Sequence, residues 1–143
     1  MTSLTVTAGP RIYYRTGYKY QLAEHHTHQL AFRLPPGGFH SVFFHCTDDG
    51  LLKISAGYAW DGASGPTRDT KNSMRGSLVH DVLYQAIREK VLPESYRPLA
   101  DTEFWFITKK DGMRWWRAMG WFLAVRRYGA EAASKVREVL IAP

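Results

Sequence analysis

The stretch Trp60-Asp61-Gly62-Ala63-Ser64-Gly65-Pro66 divides the chain into two halves of different hydrophobic period. That change of period decides the fold class. Upstream, short β-branched or aromatic runs at residues 4–7, 11–15, 30–34, 42–46 and 51–55 are separated by Gly, Pro and Asp turns, which is a strand signature. Asp48-Asp49-Gly50 reads as the hairpin turn joining the last two. Downstream, Met74, Leu78, Val82 and the pair Leu83/Ile87 recur at three and four, so a helix is expected over 73–90 with Ser73 as its N-cap. A second helix is expected over 93–110, with Pro93 at its first position and Asp111-Gly112 at its end. A third should run over 113–128 and stop near Gly129, followed by a short fourth over 130–140. The expected architecture is α+β: a small antiparallel β-sheet followed by a helical hairpin and C-terminal helices. Strands fill 1–58 and helices 59–143 of a single domain spanning 1–143.

Composition suits one compact domain, because 143 residues at 45% hydrophobic and 14% aromatic can bury a real core. No run of eighteen apolar residues is present, no basic-then-apolar leader opens the chain, and Cys46 is the only cysteine. The expectation is a soluble protein made in a reducing compartment. The net charge of +6 is concentrated toward the C-terminal end, where residues 113–143 hold six Lys/Arg against two Asp/Glu.

The chemistry is expected in Leu78-Val79-His80-Asp81-Val82-Leu83-Tyr84, where a His and an Asp interrupt an apolar helical pattern. Titratable groups are costly to bury without partners, so the pair demands an explanation. His80 and Tyr84 share one helix face, whereas Asp81 is turned about 100° away. The partner expected for His80 is Asp101 on the next helix, one turn before Phe104, because helices joined by a short loop pack face to face. A carboxylate on one imidazole nitrogen leaves the other as a general base. Asp61, Asp81 and a carbonyl of the turn, Gly62 among them, are hard oxygen donors of the kind calcium takes. A cation that polarises a carbonyl beside a histidine that activates water is a hydrolytic design. It requires His80 to be reachable by solvent, with Asp61, Asp81 and Asp101 gathered around it.

The sequence His-Asp-x-x-Tyr followed by Asp-x-x-Phe resembles the core of secreted phospholipase A2, in its short bacterial and fungal branch. The resemblance spans roughly residues 60–108, and Asp61-Gly62-Ala63-Ser64 is similar to the calcium-binding segment of that branch. It implies His80 as general base, Asp101 as its orienting partner, Tyr84 as hydrogen-bonding support, and Asp61, Gly62 and Asp81 at calcium. The flanking cysteines of those enzymes are absent, with Val79 and Leu83 in the neighbourhood. A second resemblance covers nearly the whole chain. Small phage and prophage proteins share Trp-Asp-Gly-Ala-Ser-x-Pro, His-Asp-x-Leu-Tyr and Ala-Asp-x-x-Phe, the last standing here as Ala100-Asp101-Thr102-Glu103-Phe104. It implies a viral or prophage origin, synthesis in the host cytoplasm and association with the virion. The partners implied are host envelope lipid or other virion proteins, for instance in the tail.

Plainer readings compete at each motif. A His held by a buried Asp across two helices also serves as a polar clasp, and the Asp61-Gly62 turn also serves simply as a turn. Ser64 lacks the glycine spacing of a nucleophile elbow, and Ser77 is placed for a local hydrogen bond. His26 and His28 share a strand face and could take zinc only with a third group such as His40 or His45. In the third helix Trp115, Met119, Phe122 and Val125 lie at core spacing with arginines as the solvated face. The same segment, 113–128, also suits a membrane surface. Nucleic acid is not expected, because the basic residues do not alternate with a stacking platform.

Overall fold

The computed structural model describes residues 12–14, 20–62, 70–134 and 140–142, with side chains for 20–62 and 70–127. The fold is α+β; among the described residues most strands precede the helices and one, at Leu140–Ala142, follows them. A four-stranded antiparallel sheet has the order β3-β6-β5-β4, formed by β3 (His26–Gln29), β4 (Phe39–His40), β5 (Phe44–Cys46) and β6 (Leu51–Ile54). Two further antiparallel pairs join distant segments: β1 (Ile12–Tyr14) with β8 (Leu140–Ala142), and β2 (Tyr20–Gln21) with β7 (Ala59–Trp60). The helices are α1 (Lys71–Arg88), α2 (Arg97–Lys110) and α3 (Trp115–Ser134), with one 3-10 turn at Glu94–Tyr96 leading into α2.

The hairpin between β5 and β6 turns at Asp48-Asp49-Gly50 as expected, with Gly50 N–H on the Thr47 carbonyl at 2.9 Å and Gly50 at φ +95°. The run at 30–34 is not a strand; pairing stops at Gln29, and the strand lies one step earlier, over His26–Gln29. The physical reason is a competing partner. Ala31 N–H donates to the Glu103 carboxylate of α2 at 3.0 Å, while Leu30 and Leu34 turn into the core. In the run at 42–46 the first two residues form the bend before β5, where Ser41 N–H bonds the Phe44 carbonyl at 2.8 Å. The strand expected at 4–7 falls outside the described residues.

Helix α1 starts earlier than Ser73. Its N-cap is Thr70, and Ser73 sits three residues in, its Oγ accepting the Thr70 N–H at 2.9 Å in a capping-box arrangement. Helix α2 begins at Arg97 because Pro93 opens the 3-10 turn instead, and it ends before Gly112 at φ +96°. Helix α3 continues through Gly129 to Ser134, so the first residues expected as a separate fourth helix belong to α3; residues 135–139 lie outside the described residues, and Leu140 opens β8, where Leu140 and Ile141 pair with Tyr14 and Tyr13.

Helix α1 is the central element, buried at eleven of its positions, which is why its sequence reads as only weakly amphipathic. The main core joins the sheet to it through Phe44, Leu52, Ile54, Val79, Val82 and Leu83. A second core, between α2 and α3, holds Phe104, Met113, Ala118, Trp121 and Val125. Gly76 lets α1 and α2 approach, since a Cβ there would lie 2.9 Å from Thr108 Cγ2 and 3.3 Å from Phe104 Cδ2.

The inward face of α3 therefore differs from the expected stripe. Ala118, Trp121 and Val125 are buried, while Trp115 and Met119 are exposed and Phe122 is half-buried. The small side chain of Ala118 lets α3 approach on that side, and two arginines of the supposed solvated face turn inward. Arg117 bonds Thr70 Oγ1 and Asn72 Oδ1 at 3.0 and 3.1 Å, and Arg126 reaches α2.

Candidate functional site

His80 projects from α1 to the junction of all three helices, where Asp101 of α2 meets it: His80 Nε2 and Asp101 Oδ1 are 2.7 Å apart. An ionised carboxylate only accepts, so Nε2 carries the proton and donates it. Tyr84, one turn along α1, donates its hydroxyl to the same oxygen at 2.6 Å, and its ring packs against the imidazole at a 38° tilt with centroids 4.0 Å apart. Asp101 Oδ2 accepts from Arg126 Nη1 of α3 at 2.9 Å. Phe104 meets the imidazole edge-on at 5.6 Å and stacks in turn on Trp121.

These four polar side chains lie 46 positions apart at most along the chain, yet share one carboxylate. His80, Tyr84 and Asp101 are brought together as the helix spacing predicts; Arg126 was not singled out in the sequence. Nothing in one dimension separates Arg126 from Arg127, because the distinction depends on the rotation of α3.

The electrostatics favour an ionised Asp101. Burial opposes its charge, but the hydrogen bond and charge of His80, then the bonds from Tyr84 and Arg126, hold the carboxyl below the usual carboxylate range. The same surroundings push the Tyr84 phenol well up, burial first and the neighbouring Asp101 second. Tyr84 therefore remains a hydrogen-bond donor.

Access is the point at which the geometry departs from the hydrolytic expectation. His80 is only 3% exposed and Asp101 0%. The imidazole is closed in rather than open to solvent.

Compared with known protein families, curated proteins and solved structures, the chain matches none.

The expected calcium donors are arranged differently from His80 and Asp101. Asp81 turns toward the sheet side of α1, where the Tyr58 hydroxyl, which donates to Gln85 Oε1 at 2.9 Å, lies 3.5 Å from its Oδ2. Asp61 and Gly62 follow β7, with Gly62 at φ +90°, the conformation a tight turn asks of glycine. Among the described residues no three His, Cys, Asp or Glu side chains converge to hold a metal ion. Residues 63–69, with the rest of the turn, lie outside the described residues. The described donors do not by themselves compose a calcium cage.

The serines and histidines weighed in the sequence have identifiable neighbours. Ser77 Oγ donates to the Met74 carbonyl at 2.9 Å and accepts from Trp60 Nε1 at 3.1 Å, a local bond that also pins β7 to α1. His26 and His28 do share a strand face, but His45 lies opposite Lys53, which in turn lies opposite Thr27. The pleat thus puts His45 on the other face of the sheet from His26 and His28.

A second histidine–carboxylate pair escaped sequence reasoning. His28 Nε2 lies 2.7 Å from Glu103 Oε2, and Arg75 donates to His28 Nδ1 at 3.3 Å while also gripping Asp111 at 2.8 and 3.1 Å. This network fastens β3 to α1 and α2. The only signal for it was a charged residue, Glu103, on the inward side of the α2 pattern.

Proposed function

We propose that this chain is a phage or prophage binding protein that works without catalysis. Its His80–Asp101–Tyr84–Arg126 cluster is a polar clasp that fixes three helices and so fixes the surface they present. One observation carries this reading: the cluster is closed, with Asp101 fully buried and both of its oxygens accepting hydrogen bonds. A buried network of this kind specifies how elements dock, and an open base would instead keep its imidazole in contact with water or substrate. The protein is made in the host cytoplasm, and other virion components or envelope lipid are its partners.

A second reading, hydrolysis of an envelope ester, is favoured by the choice of ring nitrogen. Asp101 takes Nε2 and leaves Nδ1 as the atom that would accept a proton from water. In that reading Asp61, Gly62 and Asp81 are the residues that would hold calcium.

One experiment separates the two. Fatty-acid release from phospholipid is measured for the wild type and His80→Gln, with calcium and with chelator, beside the thermal midpoint. The clasp reading expects no release above blank and a lower midpoint for the variant. Calcium-dependent release that disappears in His80→Gln at an unchanged midpoint overturns it in favour of the hydrolase.

A further inference from the structure

The outer side of the α2–α3 hairpin is unlike the rest of the helical half. Trp115 is 66% exposed and Trp116 58%, and Met119 and Leu123 continue the same side of α3. Across from them α2 exposes Leu99 and Phe106. Between the helices runs an apolar groove of about 210 Å³ lined by Thr102, Trp105, Phe106, Met119 and Phe122. Contiguous exposed apolar surface of this kind marks a binding face.

The charge around the face selects the occupant. From residue 98 to 127 the chain carries six Lys/Arg and three Asp/Glu. Asp101 and Glu103 are buried within the fold, and Asp111 is paired with Arg75. Among the side chains described from 98 to 127, the exposed charges include Lys109, Lys110 and Arg114, all cationic. Lys109 also lies over the Trp105 ring at 5.2 Å, its stem along the apolar surface and its head free to reach outward.

We infer that this hairpin docks on an anionic lipid bilayer, lying in the interface rather than crossing it. This rests on reading the chain as a binding protein. No described helix is long and apolar enough to cross a membrane. Tryptophan rings settle at the headgroup level, and lysine and arginine around them meet lipid phosphates. Exposed cations beside exposed tryptophans suit a surface of lipid phosphates.

The test uses the full-length protein and co-sedimentation with vesicles of phosphatidylglycerol and phosphatidylcholine in equal parts, against phosphatidylcholine alone. Binding is expected only to the anionic vesicles, with release by salt and a blue shift of tryptophan emission. Lys109→Gln with Lys110→Gln should weaken partitioning about 25-fold, about fivefold per cation near an anionic surface. Trp115→Ala and Trp116→Ala should each cost about tenfold in partitioning, at an unchanged thermal midpoint because both rings are mostly exposed. No sedimentation with anionic vesicles, or equal sedimentation with neutral ones, overturns the inference. So does self-association that Trp116→Ala abolishes, which would make the face a protein interface. Fatty-acid release lost in His80→Gln would overturn the clasp reading and leave the vesicle result standing. Failure to bind vesicles overturns the docking inference alone.

Discussion

Replacing Asp101 by Asn keeps the shape of the side chain and removes its charge, so it isolates what the carboxylate contributes to the helical junction. In the wild type, Asp101 Oδ1 accepts from His80 at 2.7 Å and Tyr84 at 2.6 Å, and Oδ2 accepts from Arg126 at 2.9 Å. The amide oxygen can still receive the first two, but as neutral bonds, and each then loses about 1–1.5 kcal/mol of charge assistance. The amide nitrogen faces Arg126 donor to donor. Arg126 is 35% exposed on its side chain and can swing to water, so that loss is screened to about 1 kcal/mol or less. The expected total is about 2–4 kcal/mol, or about 4–16 °C in thermal midpoint for a domain near this size. Urea unfolding followed by circular dichroism measures it. The sign with pH is also fixed. The Asp101 carboxyl is held below the usual range, so its contribution is complete above the unfolded carboxylate value of about 3.9. It is lost as pH falls through the lower folded value, and the gap between wild type and Asp101→Asn should close in acid. A deficit under about 0.5 kcal/mol at neutral pH, or one that stays constant into acid, would refute the reasoning.

Two further outcomes follow from packing. Gly76→Ala puts a methyl 2.9 Å from Thr108 Cγ2 and 3.3 Å from Phe104, so the α1–α2 approach must widen; urea unfolding should show a loss of about 1–3 kcal/mol. Cys46 is buried beneath the sheet, and burial first, then Asp49, pushes its thiol up to about 12. Its alkylation by iodoacetamide at neutral pH should therefore follow the urea unfolding curve, and rapid labelling of the native protein would show that the strand opens independently.

The elements that were legible in the sequence are those whose signals are local. The Asp48-Asp49-Gly50 turn sits where its residues ask for it, because a positive φ at Gly50 is a property of that residue. The core spacing of α1 and the stop of α2 at Asp111-Gly112 are equally local. The His80, Tyr84 and Asp101 cluster was also readable, since helical rotation puts the first two on one face and a short connection brings the third opposite. Pairings across long separations were not. Tyr20 with Trp60, and Ile12 with Ala142, are held by a few backbone bonds that any extended residue can make. The failure at 30–34 has a related cause: Glu103, more than seventy residues away, takes the Ala31 N–H that a strand would have used.

The sequence alone determined the α+β division, because the change from alternating to helical period is written residue by residue. It also determined that His80 and Tyr84 face the same way, since 3.6 residues per turn allows little else. Only the tertiary structure decided that Asp101 is sealed and that Arg126, and not Arg127, completes its shell. It likewise decided that Trp115 and Met119 face outward. Each of these depends on how far α3 is rotated against its neighbours, and that angle is set by the packing of Ala118, Trp121 and Val125 on the other helices. Periodicity fixes which residues share a face; burial decides which face turns inward.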